Sequence, residues 1–201
     1  MTRAAITIAF ALLATPAAAQ SIEYAYTKFD AKQCKHTKGT EVEDYGTWRC
    51  PGYEKLPVWL AAGDQRMYVS FGNWKKDDIA LSQTFPGFND VYEGTVEWRI
   101  EKGATGKTRP FATILRWNLI TASDQEKATG PMKASGRVLV VTRLGPGGVC
   151  HVGYVDARAN PDANELARKI ADEHARRFRC GKDKPTVLGK LSEPDMMPKA
   201  D

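Results

Sequence analysis

The segment Gly103-Ala104-Thr105-Gly106-Lys107-Thr108 ends like a phosphate-binding loop, in which backbone N–H groups cradle phosphates and a lysine reaches the outer ones. That chemistry requires a further glycine at position 101 and a helix opening directly after the loop, so that the helix N-terminus faces the anion. Glu101 stands at the glycine position, and Arg109-Pro110 and a long apolar run follow. The segment therefore reads as a hairpin loop.

The histidines are His36, His151 and His174, and the cysteines are Cys34, Cys50, Cys150 and Cys180. A zinc site needs several Cys and His ligands at close, fixed spacings. Cys34-x-His36 and Cys150-His151 are the near pairs, and neighbours on a strand point to opposite faces. The expectation is no metal site and no cofactor. Serine hydrolysis of the α/β-hydrolase type needs a G-x-S-x-G elbow, which the chain lacks. A glycosidase needs two carboxylates facing one another across a cleft. Asp90, Glu93 and Glu97 are close in sequence, but Glu97 alternates outward from an apolar strand and reads as solvated.

A recognition surface is the remaining chemistry. Phe85, Phe88 and Tyr92 fall in the turn-rich stretch from Phe85 to Gly94, and Trp74 lies in a turn shortly before it. Aromatics on a loop held by a rigid sheet make a common binding surface. The competing reading, favoured because large aromatics usually bury, is that they fold back over an open end of the sheet.

The elements that must hold these residues are mainly β. Met67, Val69 and Phe71 alternate with Tyr68 and Ser70, and Val96, Trp98 and Ile100 alternate with Glu97, Arg99 and Glu101. Such period-two patterns predict strands with one buried face. Further strands are expected over Phe111–Thr121, Arg137–Leu144 and Val149–Asp156, with weaker ones around Trp48, Val58–Ala61 and Ile79–Gln83. Gly145-Pro146-Gly147-Gly148 and Gly103–Gly106 sit between strong strands, as antiparallel hairpins require. One helix is predicted from Ala163 to Arg179. Leu166, Ala167, Ile170, Ala171 and Phe178 form its apolar stripe, and Glu165/Lys169 and Asp172/Arg176 are spaced as exposed pairs. The fold class is an antiparallel sheet, as a sandwich or partial barrel, with one C-terminal α-helix packed on it and two disulfides.

Cysteine pairing follows from lengths. A strand from Cys150 to Asp156 rises ~20 Å. A helix from Ala163 to Cys180 rises ~25 Å. If the helix returns along its own strand, Cys180 meets Cys150, and Cys34 pairs with Cys50 by elimination among the three connectivities of four cysteines.

Met1-Thr2-Arg3, the apolar run Ala4–Thr15 and Ala17-Ala18-Ala19 have the pattern of a cleavable signal peptide. The expected organisation is a leader over 1–19, a β-rich domain over 20–181 and a flexible polar tail over 182–201. The net charge is +5, without a block of about five or six like charges. With no basic helix interleaved with aromatics, nucleic-acid binding is disfavoured. No later run is long and apolar enough to suggest an integral membrane protein. The reading is a periplasmic or secreted binding or envelope-accessory protein acting through its surface. Its expected partner is another envelope protein or an anionic envelope polymer. The alternative is a hydrolase of envelope material using unidentified carboxylates. The intact mass of the exported protein is expected to match a chain beginning at Gln20, and a mass that retains Met1–Ala19 would overturn the export reading.

Overall fold

The computed structural model describes residues 21–41, 44–73, 78–103 and 105–198. In chain order the strands are β1 (Ser21–Asp30), β2 (Lys35–Thr37), β3 (Asp44–Tyr53), β4 (Leu56–Gly63), β5 (Arg66–Phe71), β6 (Asn89–Asp90), β7 (Glu93–Lys102) and β8 (Thr108–Leu119). A short helix α1 (Ala122–Glu126) precedes β9 (Gly136–Arg143) and β10 (Cys150–Asp156). Helix α2 (Ala163–Ile170) continues through a π-turn at Ala171–Ala175, and β11 (Thr186–Val187) follows.

These strands form two sheets. The larger runs β1-β7-β8-β9-β10-β11, with β6 also on β8, and the smaller runs β2-β3-β4-β5. Neighbours pair antiparallel except β10 with β11. The alternation read in the sequence explains the layering. Val58, Leu60, Met67, Val69 and Phe71 of the small sheet meet Val96, Trp98, Leu115 and Trp117 of the large one in a common core. The opposite face of the large sheet, through Phe111, Ile114, Leu139, Val141 and Val152, meets Ala167, Ile170 and Ala171 of the helix. The architecture is sheet on sheet with a helix on the outer face.

The disulfides are Cys34–Cys50 and Cys150–Cys180. The second pins the end of the helical segment to the start of β10, as the length argument requires. Arg143 reinforces this corner. Its Nη1 donates to the Phe178 carbonyl and its Nη2 to the Pro146 carbonyl, each at 2.8 Å, a favourable place for a cation at a helix C-terminus.

Four points of the sequence reading are corrected, one of them an omission. Ile79–Ser82 is a 3-10 turn and not a strand. Ser21–Asp30, unremarked in the sequence, is a full strand paired with β7 without interruption from Ser21↔Lys102 to Asp30↔Glu93. Strict alternation along the expected strand Val149–Asp156 would put Tyr154 on the face of Cys150 and Val152, and it does not lie there. A β-bulge between His151 and Gly153 inserts one residue against β9, which turns Tyr154 into the inter-sheet core while Val152 stays under the helix. Gly153 suits that bulge, since a Cβ there would lie 2.5 Å from the Thr186 carbonyl oxygen and 2.9 Å from Ile170 Cγ2.

The fourth correction concerns the C-terminal segment, expected to be a free tail from 182. Lys182–Pro198 is laid along the domain. Ser192 N–H donates to Asp156 Oδ2 at 2.6 Å, and Asn160 exchanges hydrogen bonds with Lys190 N–H and C=O. Met196 and Met197 enter the inter-sheet core, each 6% exposed. Polar composition concealed this because backbone hydrogen bonds, which any sequence can supply, carry most of the docking. Met196→Ala and Met197→Ala are each expected to lower unfolding free energy by about 2–5 kcal/mol, the usual cost of emptying a buried methionine site. Denaturant titration checks this, and unchanged midpoints would mean that the segment does not pack.

Candidate functional site

The helix leaves part of the large sheet's outer face open. On β1, Tyr24, Tyr26 and Lys28 share that face because strand side chains alternate. On β7 the same face carries Glu93, Thr95 and Glu97, and on β8 it carries Ile114, Arg116 and Asn118. Asn164 and Arg168 of α2 form the far wall. All of these except Tyr24, which stands just beyond Tyr26 on the same strand face, line a cleft of about 660 Å³.

One side of the cleft is fixed by an ion-pair network. Glu97 Oε1 accepts from Arg168 Nε at 2.8 Å and from Arg99 Nη1 at 3.2 Å. Its Oε2 accepts from Arg168 Nη2 at 3.0 Å and from the Tyr26 hydroxyl at 3.3 Å. Arg99 forks onto both oxygens of Asp172, in the π-turn, at 3.0 and 2.7 Å. The Glu97 carboxylate holds the Arg168 guanidinium above its ordinary pKa. Charge in this part of the cleft is thereby matched.

Elsewhere in the cleft it is not matched. Lys28 and Arg116 are both exposed and line the cleft, yet among the described residues neither has an ion-pair or hydrogen-bond partner. Asn118 donates through Nδ2 to Asp90 at 2.9 Å, leaving its Oδ1 open. Glu93 places one exposed carboxylate in the lining. The cleft thus offers two uncommitted cations, one uncommitted carboxylate, amide groups and the Tyr26 ring.

Double-displacement or inverting glycoside hydrolysis does not fit this arrangement. Glu93 and Glu97 are four residues apart on one strand face, their Cα atoms ~14 Å apart at strand rise, and the Glu97 side chain is turned to Arg168 and Arg99. Paired catalytic carboxylates stand ~5–9.5 Å apart. Glu97 is also occupied by four hydrogen bonds, so it has no open position from which to take a proton.

The sequence candidates are dispersed. Trp74 lies outside the described residues. Phe85 is 1% exposed and packs against Trp117 and Tyr154 at centroid distances of 5.3 and 5.6 Å. It is therefore a core residue between the sheets and takes no part in an exposed surface. Phe88 is half-buried, and its carbonyl accepts from Ile120 N–H at 2.9 Å. Tyr92 is 43% exposed and stands edge-on to Trp48, on which His36 stacks at 4.4 Å. Glu97 is not solvated; the helix covers it. Asp172 serves Arg99, while Arg176 lies over the Phe111 ring at 4.3 Å. Lys28 and Tyr26 were missed because β1 was not recognised, and the alternation of Tyr24, Tyr26 and Lys28 was the available signal; Arg116 lies on the expected strand β8, whose own pattern does not show that it meets Lys28 across β7.

The phosphate-loop resemblance ends at a hairpin. Gly106 N–H donates to the Gly103 carbonyl at 2.9 Å, and β8 follows. No group of three His, Cys, Asp or Glu among the described residues is placed to hold a metal ion. No helix among them is long and apolar enough to cross a membrane. In comparisons with known proteins, no family model, no curated protein and no solved structure matches the chain.

His151 is fully buried, with Nδ1 3.0 Å from the Tyr154 hydroxyl and Nε2 without a partner. Burial pushes its pKa down to about 3 from 6.5. Between those values the unfolded chain binds a proton that the folded chain refuses, so stability is intact above pH 6.5 and falls on acidification. The loss approaches ~1.4 kcal/mol per pH unit. His151→Phe is expected to flatten the dependence of unfolding free energy on pH between about 6 and 4. An unchanged slope would refute this origin.

Proposed function

We propose that the protein is an exported binding protein that holds an anionic envelope ligand in the cleft on the outer face of its large sheet, without a cofactor. The observation that carries this reading is the contrast within one cleft. Arg99 and Arg168 are matched by Glu97 and Asp172, whereas Lys28 and Arg116 face the same space with no partner among the described residues. Cations placed in a concave site without partners attract anions and gain from pairing with them.

Export is supported by the leader pattern ending at Ala17-Ala18-Ala19 and by two disulfides, which suit an oxidising compartment. Binding is preferred to hydrolysis because Glu97, one of the cleft's two carboxylates, is fully engaged by Arg168, Arg99 and Tyr26.

Both cations are exposed, so replacing them perturbs the fold little, within about 0.5 kcal/mol. The test is sedimentation of the mature chain with an envelope fraction at low and moderate salt. Lys28→Gln/Arg116→Gln is expected to weaken retention at least ~10-fold and to reduce its salt sensitivity. Retention equal to wild type in the double variant would overturn the reading.

A further inference from the structure

We infer that the ligand is a carbohydrate chain bearing spaced carboxylates, an acidic polysaccharide of the uronic-acid type; this rests on the anion-binding reading above and names its ligand class. Charge spacing is the first argument. Lys28 on β1 and Arg116 on β8 flank β7, so their strands are two sheet spacings apart, ~10 Å. A nucleic-acid strand carries a charge every ~3.4 Å, and inorganic polyphosphate, whose repeat unit is much smaller than a sugar ring, is charged at least as densely. Either would bring surplus charges into a cleft that, among the described residues, offers two free cations, and against Glu93. A chain with acid groups separated by neutral sugar atoms avoids that repulsion.

Hydrogen-bonding capacity is the second. Glu93 and Asn118 Oδ1 are acceptors without partners, and Asn164 supplies an exposed amide. Polyphosphate has no donors for these acceptors at neutral pH. Sugar hydroxyls both donate and accept, so they satisfy this mixed lining.

The aromatic surface is the third. Tyr24 and Tyr26 are 63% and 52% exposed. Their rings meet edge-on at 5.6 Å. The Tyr26 hydroxyl accepts from Arg168 Nη2 at 3.1 Å and donates to Glu97, which fixes that ring without using its faces. Sugar rings present C–H faces that pack on aromatic rings, and phosphate has no such face. Tyr24, Tyr26 and Lys28 step along one face of β1 at intervals of ~7 Å, the layout of a site for an extended chain.

The test uses the mature full-length protein and isothermal titration calorimetry at moderate salt. The probes are oligogalacturonate, hyaluronate fragments, methyl-esterified oligogalacturonate and inorganic polyphosphate. At least one acidic glycan is expected to bind at least ~10-fold more tightly than the ester and than polyphosphate. Tyr24→Ala is expected to weaken that glycan at least ~5-fold while leaving any polyphosphate binding unchanged. Polyphosphate binding as tightly as either glycan, with binding lost in Lys28→Gln/Arg116→Gln, would overturn the glycan inference and keep the anion-binding reading. No binding of either glycan would overturn the glycan inference. Glycan binding unaffected by the double variant would overturn both.

Discussion

The large sheet has to be covered on both faces, and the structure follows from how that is done. Trp98, Leu115 and Trp117 point to one side while Phe111, Ile114 and Val141 point to the other. The small sheet spans the first side. The second is covered by a single helical segment, about 10 Å wide with its side chains. The path from β1 to β11 is ~24 Å across. A helix pinned to β10 by Cys150–Cys180 therefore cannot reach over β1 and the adjoining ends of β7 and β8. The cleft is the part of the sheet that the helix does not reach, and its lining is polar because it is left to water.

The Glu97 network is the boundary between covered and open sheet. Glu97 and Arg99 side chains are each 9% exposed. Charges at that depth are costly unless paired, and removing one partner of such a pair costs about 3–5 kcal/mol. The network meets the requirement by giving Glu97 two guanidiniums and a hydroxyl, and by giving Arg99 a second carboxylate at the π-turn. It joins β1, β7 and α2 through side chains alone. That rigid wall also sets the Tyr26 ring, so the element that secures the helix to the sheet shapes the cleft as well.

The same need to satisfy both faces explains the bulge in β10. His151 enters the inter-sheet core beside Trp117, with centroids 5.8 Å apart. One inserted residue then lets Tyr154 face that core and reach His151, while Val152 remains under Ile170. Asp156, at the strand end, accepts from Arg158, Ala159 and Ser192 N–H groups, so the C-terminal segment is tied to the strand that already carries the disulfide and the helix.

The sequence by itself determined the strands whose alternation is strict, such as Met67–Phe71 and Val96–Ile100, because a period of two reports a single buried face directly. It determined the hairpins from their glycines, the helix from its apolar stripe, and both disulfides once strand and helix lengths were compared. Those signals are local or depend on simple reach. It left β1 unread, because Tyr24 and Tyr26 are exposed aromatics and the strand's buried face is only Ala25, Thr27 and Phe29. It assigned Glu97 to solvent and the C-terminal segment to a free tail, because whether a polar face is covered depends on a distant element coming to rest on it. The meeting of Lys28, Glu93, Arg116 and Arg168 in one cleft was decided by tertiary structure alone. They come from three strands and a helix spread over most of the chain, and only sheet order and the limited width of the helix bring them together and leave them uncovered.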